Sequence, residues 1–204
     1  MKRTPPILLS LILVISMLSA CSAGPKFDTF SDEQRNEAYA YLLEGLNQAV
    51  PYYADYQTKL EGSSLNQAVQ IQNEPLVLDA YASMTIPFSL DKASLASLRM
   101  IYQVASDTLL SPILSVELNG KTPFVEALSI DVALNWLSDT SKFPLDSYQD
   151  ESLPAQIVDT RPQTLDFYDI LHSTATPLQF SFVAGENTIK LTNVSSTPMT
   201  IREL

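Results

Sequence analysis

Leu114-Ser115-Val116-Glu117-Leu118-Asn119-Gly120 decides the fold class: apolar residues alternate with polar ones, and a tight-turn dipeptide follows at once. A strand turns successive side chains to opposite faces, so a period of two means one buried face and one wet face. The same alternation recurs upstream in Met84, Ile86, Phe88 and Leu90 and in Leu98, Met100, Tyr102 and Val104. Downstream it returns in Leu178, Phe180 and Phe182, in Ile189 and Leu191, and in Met199 and Ile201. Asn119-Gly120 supplies the backbone freedom of a tight turn. Ala184-Gly185-Glu186-Asn187 reads as a hairpin connection between the strands on either side of it. Several short alternating strands predict a mainly β protein, an antiparallel β-sandwich of jelly-roll type.

Before residue 66 the period is helical. Ser31 and Gln34 form a capping-box pattern, and Ala38, Tyr41, Leu42, Leu46 and Ala49 recur at spacings of three and four until Pro51 stops the run. These signals predict a helix over 32–49, with a second short one over Tyr52 to Leu60 that Gly62 ends. Residues 121–163 carry Pro123, Pro144, Pro154 and Pro162 among clustered acids, and much of the stretch reads as long loop. The sandwich is thus preceded by one or two N-terminal helices. The helical segment spans 31–62 and the sandwich 63–204.

The first twenty residues have another character. Lys2 and Arg3 form a positive start, and Ile7 to Leu18 is an almost purely apolar core. About twelve apolar residues suit a cleaved signal peptide, since a membrane span needs about twenty. Leu18-Ser19-Ala20-Cys21 resembles the lipobox of bacterial lipoprotein precursors, which implies cleavage before Cys21 and lipid on its sulfur. Cys21 is the chain's one cysteine. Residues 1–20 are then signal peptide and 21–30 a lipidated tether with Gly24 and Pro25, holding the protein on the outer, extracytoplasmic face of the cell membrane. Two acyl chains anchor stably where one does so marginally. Removing Lys2 and Arg3 from the 12 basic residues leaves ten against 23 acids, so a formal charge of −11 becomes −13. Such a surface excludes nucleic acid as a partner, because phosphate binding relies on basic patches.

Longer segments carry a second resemblance. Ser115-Val116-Glu117-Leu118-Asn119-Gly120-Lys121-Thr122-Pro123-Phe124-Val125-Glu126-Ala127 is similar to a stretch in large extracellular solute-binding lipoproteins of Gram-positive bacteria. There it lies in an N-terminal β-sandwich ahead of the ligand-binding lobes. Phe143 to Gln156 resembles the family's acidic, proline-bearing loop, and Pro177 to Leu204, with Gly185-Glu186-Asn187-Thr188-Ile189-Lys190-Leu191, its closing hairpin. Tyr56 to Ile71 fits more loosely. The resemblance implies a galactose-binding-like or carbohydrate-module-like sandwich found beside ABC transporters that import sugars. In those proteins the two-lobed region would begin where Leu204 stands. The chain is therefore expected to be a free-standing relative of the sandwich, or the product of a truncated gene.

Residues able to do chemistry are few. His172 is the sole histidine; Ser173 and Asp169 are its neighbours, no nucleophile elbow occurs, and neighbours in sequence seldom form a triad. No catalytic residue, cofactor motif or phosphate loop is expected, so the chain is not read as an enzyme. Asp146, Asp150 and Glu151 could offer oxygens to calcium but lack the ordered EF-hand spacing, and solvated loop acids are commoner. Sugar rings present apolar C–H faces that stack on aromatics. Tyr52, Tyr53, Tyr56, Trp136 and Tyr168 are accordingly the candidate ligand-binding residues. Each also has a packing reading: the tyrosine triplet against the sheet, and Trp136, between Leu134 and Leu137, in the core. The expected function is a membrane-anchored, non-catalytic module that binds a carbohydrate. The alternative is a structural partner of a transporter or envelope complex that binds no sugar, or a remnant of a truncated solute-binding protein.

Overall fold

The computed structural model describes residues 31–60, 63–64, 68–141, 143–171 and 174–204. The expected signal peptide, Cys21 and its tether, the Gly62 cap, His172 and Ser173 lie outside the described residues. The chain divides into two compact units, Met1–Asp32 and Glu33–Leu204, and the elements below belong to the second.

The alternating segments form strands. β3 (Ser83–Leu90), β6 (Ile113–Leu118), β7 (Ile130–Asp131) and β12 (Gly185–Asn193) make an antiparallel sheet in the order β3-β12-β6-β7. β2 (Leu76–Leu78), β5 (Arg99–Gln103), β10 (Gln163–Asp166) and β13 (Met199–Glu203) make another in the order β10-β5-β13-β2. Their inner faces share one core, with Ile86, Val116, Ile189 and Leu191 from the first sheet and Leu78, Met100, Tyr102 and Ile201 from the second. Burying each such side chain contributes about 2 kcal/mol. The protein is a mainly antiparallel β-sandwich preceded by two helices, as the periodicity predicts.

A small sheet, β1 (Ser63–Ser64), β4 (Ser94–Ser97) and β11 (Gln179–Phe182), lies in the order β1-β4-β11. At Asn119 and Gly120 φ is +50° and +75°, and Leu118 and Lys121 exchange both backbone hydrogen bonds at 2.8 and 3.0 Å. Two consecutive left-handed residues are the requirement of a type I′ turn.

One expectation is corrected. β11 and β12 do not form a hairpin, because β11 pairs with β4 and β12 with β3 and β6. Residues 185–187 belong to β12 itself, and the buried Asn187 side chain shapes the crossover by accepting the N–H of Val183 and donating to the carbonyls of Val183 and Gly185. Much of the stretch 121–163 is loop, as expected. It also holds a 3-10 turn (Val125–Leu128), β7, and the paired strands β8 (Trp136–Ser138) and β9 (Gln156–Val158).

The helices are α1 (Asp32–Gln48) and α2 (Tyr53–Gln57). α1 covers the outer face of the β6–β12 pair. There Tyr41 shares a hydrogen bond with Ser115, and Lys190, paired with Glu117 at 3.0 Å, sits 4.7 Å from the Tyr41 ring centre. Gly45 permits the close approach, since a Cβ there would lie 2.6 Å from Leu128 Cδ2 and 3.1 Å from Thr122 Oγ1. Val50 then bonds to the backbone of Pro123 and Val125, and Glu126 accepts the N–H of Tyr53 at the start of α2.

Candidate functional site

The sandwich's second sheet turns Met100 and Tyr102 inward, so Arg99 and Ile101 point out. β10 runs beside β5 with Asp166 opposite Arg99 and Thr164 opposite Ile101, so these four share the outer face. The Arg99 guanidinium donates from Nε to Asp166 Oδ1 at 2.6 Å and from Nη2 to Oδ2 at 3.0 Å, a fork-to-fork pair. On the other side of β5, the register of β13 slips between Ile201 and Glu203, which sets Glu203 opposite Ile101. Without that bulge the period of two would carry the neighbouring residue to this face.

A groove of 780 Å³ opens beside this face and reaches inward to the core residues Leu90, Phe182 and Ile189. Arg99, Ile101, Thr164, Asp166 and Glu203 line it, together with Gln179, Phe88, Leu95 and the segment 68–71. Segment 68–71 is tied down where Ile71 donates to the carbonyl of Leu204 at 2.8 Å. Phe88 meets Phe182 edge-on with ring centres 5.5 Å apart. The volume is that of a small-molecule site, and polar groups converge on a largely apolar wall. Asp166 holds the Arg99 guanidinium in its charged form above the usual range, with a smaller contribution from Tyr168. A carboxylate offers about four acceptor positions and a guanidinium five N–H donors. The mutual fork uses two of each, so both partners retain capacity toward neighbouring hydroxyls.

Of the aromatic candidates, Tyr168 is half-buried and near enough to Arg99 to influence it. Tyr53 and Tyr56 serve packing. Their rings stand 4.8 Å from the buried Phe124, and their hydroxyls accept the backbone N–H groups of Gln179 and Ser181 at 2.8 and 2.9 Å. Tyr53, at 2% exposure, has no ring face open to a sugar. Tyr52 is exposed ahead of α2. Trp136 is not a core residue: it lies on the two-stranded β8–β9 ribbon with 45% exposure.

Asp146 does not join Asp150 and Glu151 in a metal cage. Its carboxylate accepts the N–H groups of Tyr148 and Asp150, and no three His, Cys, Asp or Glu residues among the described ones converge on a metal-sized site. No described helix is long and apolar enough to cross a membrane.

Sequence reasoning missed Arg99, Asp166 and Glu203. The alternation signals that Arg99 faces outward, but the partner across the strand and the bulge at Glu203 have no local signature.

No protein-family description matches the sequence, and no curated protein matches it. A solved structure of a family 35 carbohydrate binding module from an environmental isolate is similar at 15% identity, over 71% of this chain and 76% of that one, with a TM-score of 0.33. At that distance, ligand and site rest on the geometry of this chain alone.

Proposed function

We propose that this protein is a non-catalytic module that binds a carbohydrate in the groove over β5, β10 and β13, and that lipid on Cys21 holds it on the extracytoplasmic face of a membrane. The observation that carries the reading is the Arg99–Asp166 fork set in an apolar groove of 780 Å³. Sugars combine an apolar C–H face with hydroxyls that donate and accept at once. Phe88 and Leu95 offer surface for the first, and the fork, Gln179 and Glu203 offer partners for the second. A glycosidase of the usual kind would need two carboxyl groups at liberty to exchange protons, and that of Asp166 is engaged by Arg99.

The lipobox resemblance of Leu18 to Cys21 supports the anchor. The resemblance of Ser115 to Ala127 supports a place beside a sugar-importing ABC transporter.

Calorimetry and glycan arrays with the soluble chain test the sugar reading. A saturable oligosaccharide whose affinity falls about tenfold or more in Arg99→Ala and Asp166→Ala supports it. Binding to no glycan, or binding indifferent to both substitutions, refutes it.

A further inference from the structure

The outer face of the second sheet continues past the groove. On β5 the period of two sets Gln103 on the side of Arg99 and Ile101, away from the buried Met100 and Tyr102. Gln103 pairs with Thr200 on β13, and Thr200 pairs with Val77 on β2, so these three form one row across the sheet. Arg99 and Gln103 are about 13 Å apart at the rise of a β-strand. None of the row lines the groove, and Val77 is 67% exposed.

The bulge on β13 equips this row. Ile201 stands opposite Tyr102 and Glu203 opposite Ile101, so Arg202 is the extra residue between them. Bulges re-aim side chains, and this one sends two consecutive residues to the outer face: Glu203 to the groove and Arg202 to Gln103. Arg202 donates from Nε and Nη2 to Gln103 Oε1 at 2.8 and 2.6 Å. A guanidinium only donates, which turns the Gln103 oxygen toward it and the NH2 group away. Among the described residues no carboxylate pairs with Arg202. The pair therefore presents N–H donors backed by an unneutralised charge. The groove has the opposite bias, because Asp166 and Glu203 bring acceptors and the fork neutralises Arg99.

We infer that Gln103, Arg202 and Val77 form a second sugar subsite, so that the ligand is an oligosaccharide chain running from the groove along β5. The inference rests on the sugar reading and adds the length of ligand which that site takes. A single sugar ring is too short to span the ~13 Å from Arg99 to Gln103. Hydroxyls of the first unit donate to Asp166 and Glu203. Oxygens of a later unit accept from Gln103 and Arg202, in hydrogen bonds that the guanidinium charge strengthens. Val77 offers that unit an apolar surface beside the polar pair.

Calorimetry with the soluble chain tests it, using glucose, mannose, xylose and galactose as single sugars and as unbranched di-, tri- and tetrasaccharides of each. In a series that binds, affinity should rise about tenfold or more from the single sugar to the trisaccharide, as charge-assisted hydrogen bonds are added. Arg202→Ala and Gln103→Ala should bring that ratio close to one. Gln103→Glu gives Arg202 an ion-pair partner, which keeps this part of the sheet in place while it removes the amide donors and neutralises the guanidinium. It too should abolish the gain. In NMR spectra the Gln103 side-chain amide and Arg202 Nε should shift with the trisaccharide and not with the single sugar. A single sugar that binds as tightly as the trisaccharide, or a gain with length that survives all three substitutions, overturns the subsite and leaves the sugar reading standing. Binding by no sugar of any length refutes the sugar reading and the subsite with it.

Discussion

The Tyr53 hydroxyl accepts the backbone N–H of Gln179 at 2.8 Å, and three residues along α2 the Tyr56 hydroxyl accepts that of Ser181 at 2.9 Å. β11 pairs with β4 on one side. Alternate N–H groups on its other side point outward, and a free strand edge invites pairing with another chain. One helical turn of α2 thus caps the edge with two phenols. Removing either hydroxyl by Tyr53→Phe or Tyr56→Phe should cost about 1 kcal/mol in urea unfolding. Amide exchange should quicken at Gln179 in the first variant and at Ser181 in the second. Unaltered exchange at those amides would refute the capping role.

Alkaline stability depends on three phenols. Burial is the first cause that raises the pKa of Tyr41, Tyr56 and Tyr102 above the ordinary value. The unfolded chain releases these protons first as pH passes about 10, so the folded state holds more protons and stability falls as pH rises further. Urea midpoints should drop through that window, and Phe at all three positions should flatten the slope. An unaltered slope in the triple variant would remove these tyrosines as the cause.

Acid stability has a contribution of the opposite sign. Arg161 grips the buried Asp159 carboxylate through Nε and Nη2, and its backbone N–H donates as well, which holds the carboxyl far below the usual range. The stabilisation is complete above about pH 4, the unfolded value, and is lost as pH falls toward the folded one. In Asp159→Asn the decline between about pH 4 and pH 2 should be shallower than in the parent. Identical acid profiles would contradict this.

Asn193 is fully buried at the end of β12. Its amide donates to the carbonyls of Asp79 and Thr197 at 3.1 and 2.8 Å, and its oxygen accepts from the backbone and hydroxyl of Ser195 at 3.0 and 2.7 Å. Asn193→Ala removes these four hydrogen bonds from a buried site and should lower stability by about 3 kcal/mol. A loss under about 1 kcal/mol would show that water replaces the amide.

The proposed lipid anchor is tested in cells by Cys21→Ser. The variant should incorporate no labelled fatty acid and should leave the membrane fraction, because the tether contributes about 0.8 kcal/mol for each buried methylene. Full membrane retention without label would refute the anchor.

Strand positions were legible wherever apolar residues alternate with polar ones along the chain. Met84 to Leu90, Leu98 to Val104 and Leu114 to Leu118 all alternate, and each is a strand in the sandwich or borders one. Trp136 was misleading because its apolar neighbours suggest a core, whereas all three residues of β8 are exposed on a two-stranded ribbon with β9. Residues 185–187 misled differently: a turn-like composition there serves a crossover between sheets, and strand partners are chosen by contacts distant in sequence.

The sequence by itself determined the class of fold, the helices ahead of it, the tight turn at Asn119-Gly120, and the acidic net charge. Each follows from local periodicity, backbone preference or a sum over residues. Only the tertiary structure decided which side chains meet. Arg99 finds Asp166 across 67 positions, and Glu203 reaches their face through one slipped register. Tyr53 and Tyr56 became edge caps because β11 arrives beside α2. Such pairings depend on sheet order and register, which arise from the packing of the whole core and leave no mark on any short stretch of the chain.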